Sequence, residues 1–204
     1  MKQLFFIITI ASLAFTACGD GNQADNKDTS KTEKDTPAQA SSAEDKDVKT
    51  VSVTYTDLDP KAAASIKEIV GHYLHIKNAL ANDNGQEASS GGEAMFASMK
   101  NVDKSLFTAE QKKVYEDNEE DLKEHAEHIG KSKIDHSREH FAMMSEEIYA
   151  LVKAFGAGKP LYHDHCPMYD NNKGAMWLSE TFEVKNPYMG SKMPKCGTVE
   201  EKIQ

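Results

Sequence analysis

The sequence predicts a mainly α fold, an up-down four-helix bundle followed by a small irregular β-containing C-terminal module. Three observations carry this. Apolar residues recur at helical spacing from Asp59 to Phe155. Cap and stop residues cut that stretch into four segments with short connections, the pattern of antiparallel neighbours in a bundle. After Gly158-Lys159-Pro160 the helical period is lost, and Pro, Gly and Asn punctuate short apolar runs.

The elements follow in order. Asp59-Pro60 is an N-cap with proline at the first helical position. Ile66, Ile69, Val70, Tyr73, Ile76 and Leu80 then mark one face of the first helix, and Asn82-Asp83-Asn84-Gly85 stops it. A second helix runs from Gln86 to about Val102, with Ala88, Met95, Met99 and Val102 on one side. Its Gly91-Gly92 pair weakens it but permits close approach to a neighbour.

Thr108-Ala109-Glu110-Gln111 reads as a capping box opening a third helix. Its stripe is Tyr115, Leu122, Ala126 and Ile129, and Gly130 closes it. The fourth helix runs from about Ser132 to Phe155 on Ile134, Phe141, Met144, Ile148, Val152 and Phe155, with Gly156 as its stop. About 100 residues suffice for a modest core. In the module beyond, Leu161 to Cys166, Gly174 to Leu178 and Thr181 to Val184 read as short strands.

The expected organisation is a lipoprotein signal peptide at 1–17, a disordered tether at 18–57, the helical bundle at 58–158 and the C-terminal module at 159–204. Lys2 precedes an apolar run from Leu4 to Phe15, too short to span a bilayer comfortably. Leu13-Ala14-Phe15-Thr16-Ala17-Cys18 is similar to a bacterial lipobox, which makes Cys18 the lipidated residue and the acyl chains the membrane anchor. The expected location is the bacterial cell envelope, exported and anchored on the periplasmic or outer-surface side. Residues 19 to 50 hold no aromatic residue and one large aliphatic, Val48, too little apolar surface to offset chain entropy.

The chain of 204 residues carries a net charge of -9, which argues against nucleic-acid binding. No nucleophile elbow, P-loop, dinucleotide fingerprint or His-Glu-x-x-His motif is present, so no enzyme activity is expected.

The chemistry concentrates between Tyr162 and Cys196. Thiolate and thioether are soft donors and imidazole is borderline, a mixture suited to Cu(I) or Zn(II) rather than Mg or Ca. For Cu(I) the expected ligands are Cys166, Met168, Met193 and Cys196, with His165 and His163 next. If residues 163 to 166 stay extended, His163 and His165 share one strand face and Cys166 points to the other. Zinc would take Cys166, Cys196 and the two histidines. A disulfide needs only Cys166 and Cys196, and an oxidising compartment favours it. The helices add His72 and His75, His125 and His128, and His136 and His140 at one-turn spacings. Stepping about 100° per residue puts all but His125 off the apolar stripes, so these pairs read as solvated, with a weak surface copper or zinc store as the alternative.

Several motifs carry a family resemblance. They are Tyr73-Leu74-x-Ile76-Lys77-Asn78-Ala79-Leu80, Arg138-x-x-Phe141, Leu151-x-x-x-Phe155-Gly156, Cys166-Pro167-Met168, Asn172-Lys173-Gly174-Ala175-x-Trp177-Leu178-Ser179 and Asn186-Pro187-Tyr188-x-Gly190-x-x-Met193-x-x-Cys196-Gly197. Together they resemble the bacterial family called domain of unknown function 3347, over about residues 60 to 200. The resemblance implies exported lipoproteins, adaptor proteins of heavy-metal efflux pumps, and copper binding. The resulting expectation is an envelope lipoprotein that binds Cu(I) for buffering or delivery to an efflux component. Two alternatives stay open, a disulfide-stabilised interaction module and a zinc-stabilised structural module.

Overall fold

The computed structural model describes residues 47–204. The expected signal peptide, Cys18 and most of the expected tether lie outside the described residues. The elements are β1 (Lys49–Val51), α1 (Pro60–Ala81), α2 (Gly85–Met99), α3 (Ala109–Lys131), α4 (Ile134–Phe155), β2 (Leu161–Cys166), β3 (Ala175–Ser179) and β4 (Thr198–Ile203). Short 3-10 turns lie at Lys104–Leu106 and Gly190–Lys192. None of the described helices is long and apolar enough to cross a membrane.

The caps act as their residue types dictate. The Asp59 carboxylate accepts the Lys61 and Ala62 N–H groups, with Pro60 following it. The Thr108–Gln111 box closes in both directions. Gly156 ends α4 at φ 74, a conformation that suits glycine. Each helix packs on the next and α4 returns to α1, so the stripes meet in one core. Ile66, Tyr73, Met95, Leu122, Phe141 and Ile148 lie fully inside it. Gly92 makes the α2–α3 approach close, since a Cβ there would meet the Ala126 carbonyl and the Gly130 nitrogen at 2.7 Å.

The C-terminal module is a four-stranded sheet in the order β1-β4-β2-β3, with β1 parallel to β4 and the other pairs antiparallel. It departs from the sequence reading at three places. Residues 49–55, placed in the tether, are ordered. β1 pairs with β4, and Thr54 and Tyr55 donate N–H groups to the Lys153 and Ala154 carbonyls at the end of α4. Val51, Val53 and Tyr55 pack against the core, which anchors this stretch. Thr181 to Val184 is not a strand; the Ser179 hydroxyl accepts the Thr181 N–H and turns the chain. The fourth strand lies instead at Thr198–Ile203.

The helical and C-terminal motifs meet in space. The Lys77 ammonium, 1% exposed, donates to Ser179 Oγ at 3.4 Å and Glu180 Oε2 at 3.0 Å. Asn78 donates to the other Glu180 oxygen at 2.7 Å. Arg138 on α4 donates to the Pro187 carbonyl at 2.9 Å and the Leu80 carbonyl at 3.0 Å, and pairs with Asp83 at 2.5 Å. These polar anchors, with Leu161 and Leu178 fully buried, dock the sheet on the bundle.

Candidate metal centres

Cys166 ends β2 and Cys196 lies two residues before β4. Their sulfurs are 2.9 Å apart, with Cys166 buried and Cys196 half-buried. Both cysteines are free thiols. Bonded sulfurs lie about 2.05 Å apart, whereas two thiolates sharing a tetrahedral ion with bonds of about 2.3 Å lie roughly 3.8 Å apart. Side-chain rotation of under about an ångström reaches either state from here. The hydrogen bond with Cys166 and partial burial push the Cys196 thiol up to about 11.

The loop before Cys196 is built around Asn186, which is fully buried. Its side-chain oxygen accepts the Tyr188 and Met189 N–H groups at 2.8 and 2.9 Å, and its amide donates to the Cys196 carbonyl at 2.6 Å. One side chain thus ties the Asn-Pro-Tyr turn to the second thiol. Gly197, at φ +140, lets the backbone pass Trp177, where a Cβ would sit 2.8 Å from the ring.

The structure brings only part of the expected ligand set together. β2 is extended through Cys166, so His163 and His165 occupy the face opposite Cys166. There they flank Glu200, whose carboxylate is 3.7 Å from His163 and 3.5 Å from His165. A bulge in β4 places it so: Glu201 opposes His163, Val199 opposes Asp164, and Glu200 is the extra residue. Met193 is half-buried just after the second 3-10 turn. Met168, 48% exposed, precedes a turn in which Asp170, Asn171 and Asn172 all have positive φ. Asp164 shares the Cys166 face. Neither carboxylate oxygen has a hydrogen-bond partner, and burial pushes its carboxyl up to about 8 against the pull of Lys77.

A second group of donors lies in the bundle, where sequence reasoning placed solvated histidines. His125 and His140 are 9% and 8% exposed, packed in the seam between α3 and α4. Their Nδ1 atoms are 3.1 Å apart, and His140 Nε2 is 3.1 Å from His136 Nε2. The His128 ring stacks on His140 at 4.2 Å. Stepping along one helix locates side chains relative to that helix's own stripe and says nothing of a neighbour's flank. The available signal was the spacing about the helix connection. His128 and His136 lie four residues either side of Ser132, and His125 and His140 seven and eight. An antiparallel hairpin brings such positions level.

The geometry therefore defines a helical bundle with a docked sheet, bearing a thiol pair and an imidazole cluster. A family model described as Protein of unknown function (DUF3347) matches residues 69–159. The match spans the bundle from within α1 to the loop before β2. No curated protein and no solved structure matches the chain.

Proposed function

We propose that this protein is an exported, lipid-anchored envelope protein that binds Cu(I) for buffering or delivery to a heavy-metal efflux component. The observation that carries the reading is the 2.9 Å juxtaposition of Cys166 and Cys196 from segments thirty residues apart in sequence. Two soft donors converge at the border of a buried and an accessible position, where a metal ion can be reached and exchanged. A thioether ligand would come from Met168 or Met193, which sit on turns, whereas His165 faces the other side of β2. Ligand exchange at the accessible Cys196 is the natural route of transfer.

A second reading rests on the same pair. The raised Cys196 thiol favours a neutral thiol there over a standing thiolate, and two sulfurs this close in an oxidising compartment can close to a disulfide. In that case the module is a stapled interaction surface and the metal role falls away. The zinc-stabilised alternative takes the same two cysteines.

The deciding experiment is an anaerobic Cu(I) titration of the reduced full chain, carrying Cys18→Ser, against a colorimetric chelator, with zinc in parallel. One tightly held equivalent, lost in Cys166→Ser/Cys196→Ser, supports copper binding. No competition with the chelator, together with a two-dalton mass deficit in protein purified without reductant, moves the function to the stapled module.

A further inference from the structure

We propose a second metal site, separate from the thiol pair, in which His128, His136 and His140 hold a borderline divalent ion, Zn(II) or Cu(II). This goes beyond the Cu(I) reading and does not depend on it. One ligand-capable nitrogen from each ring lies within 4.8 Å of those of the other two. Among the described residues this is the cluster of three or more nitrogen, thiol or carboxylate donors at such spacing. The Nε2 atoms of His136 and His140 are 3.1 Å apart, close to the roughly 3.3 Å separating two imidazole nitrogens on one tetrahedral zinc. His128 completes the set from the opposite helix by a side-chain rotation.

The donor chemistry separates this site from the thiol pair. Imidazole suits Zn(II) and Cu(II), and no soft sulfur enters the set. His140 is the inner ligand. It is 8% exposed and lies between His136 on its own helix and His128 on the facing one, its ring stacked on that of His128. His128 and His136 are half exposed at the mouth of the seam, which gives an ion a route in.

Behind the three rings is a supporting shell of the kind that orients metal-binding histidines. His125 Nδ1 lies 3.1 Å from the other ring nitrogen of His140. Glu147 lies 3.9 Å from His125 Nε2, and its second oxygen is buried without a hydrogen-bond partner. A cation at the three rings would draw this carboxylate–imidazole–imidazole series into alignment and offset the Glu147 charge. An exposed, adventitious set of surface histidines has no such buried series.

The test is a Zn(II) titration of the full chain, carrying Cys18→Ser, against a chromophoric zinc chelator. The parent is compared with His128→Ala/His136→Ala, with Cys166→Ser/Cys196→Ser, and with His72→Ala/His75→Ala as a control for surface imidazole. One zinc equivalent should weaken at least tenfold in the first variant and persist in the other two. Unchanged zinc binding in His128→Ala/His136→Ala overturns the site. So does loss of all zinc with the two thiols, whereas failure of Cu(I) capture by the thiols leaves the expected result standing. Cu(II) bound to the parent gives a reading that needs no substitution. Coupling to three nitrogens in its electron paramagnetic resonance spectrum supports the assignment, and one nitrogen or none overturns it.

Discussion

The hydroxyl of Tyr73 on α1 accepts the backbone N–H of Leu178 at 2.9 Å and lies 2.9 Å from Ser145 Oγ on α4. Leu178 is on β3, the strand at one end of the sheet. The Tyr188 hydroxyl donates to the Met176 carbonyl two residues away and lies 3.4 Å from the same Ser145. Two buried tyrosines therefore occupy the free edge of β3 and satisfy groups that would otherwise be available to another strand. Tyr73→Phe keeps the ring, which stacks on Phe141 at 4.9 Å, and orphans the Leu178 N–H. The expected loss is about 1–3 kcal/mol in denaturant unfolding. Hydrogen exchange at Leu178 should accelerate more than exchange in α2.

Gly92→Ala tests the α2–α3 contact. A Cβ there would press on the Ala126 carbonyl, the Gly130 nitrogen and Ile129, backbone that cannot move without parting the helices. The gain in helix propensity is about 1 kcal/mol; overpacking of about 1–3 kcal/mol opposes and outweighs it. The melting temperature should fall, and Ser89, which donates to the Gly130 carbonyl, should lose that bond. A rise in melting temperature would show that the helices separate easily.

The Asp83 carboxyl is held down to about 2 by hydrogen bonds from the Ser191 side chain and backbone and by Arg138. Because the folded value lies below the unfolded one, this contribution is full above about pH 4 and disappears as pH falls toward 2. Asp83 is 38% exposed, so the effect is modest. Asp83→Asn should lower the urea midpoint at pH 7, and the gap to the parent should narrow through pH 4 and nearly close by pH 2. A gap independent of pH would mean the residue acts by shape alone.

At pH 7.5 the Cys196 thiol, raised chiefly by its hydrogen bond with Cys166, should alkylate slowly in the reduced, metal-free chain. Cys166→Ser weakens that bond and should speed alkylation severalfold in a mass-spectrometric time course. Equal rates would show that access, not thiolate population, controls Cys196.

Much of the bundle was legible because its signals are local. Asp59-Pro60, the Thr108–Gln111 box and Gly156 each act within one helical turn, and the apolar stripes they bound are the buried ones. β4 was hidden by its bulge. Glu200 interrupts the alternation, so Val199 and Ile203, an even distance apart, face opposite sides of the sheet. β1 escaped because its three residues become a strand only when β4 is beside them. In the candidate sites, donor chemistry was readable from residue type. The strand rule that set His163 and His165 apart from Cys166 was readable from alternation. The imidazole cluster was not visible in any single helix, since its members come from two.

The sheet also determines how the protein would bear tension. The described chain enters at Asp47 and is tied first by three residue pairs between β1 and β4, then by two N–H bonds at the end of α4. A pull on whatever precedes Asp47 loads that edge strand before it reaches a helix. β4 begins two residues after Cys196, so the same pull runs directly to the segment that holds one of the two thiols. Of the two candidate sites, the thiol pair is the one whose segment continues into a strand paired with this edge, while the imidazole cluster lies between α3 and α4.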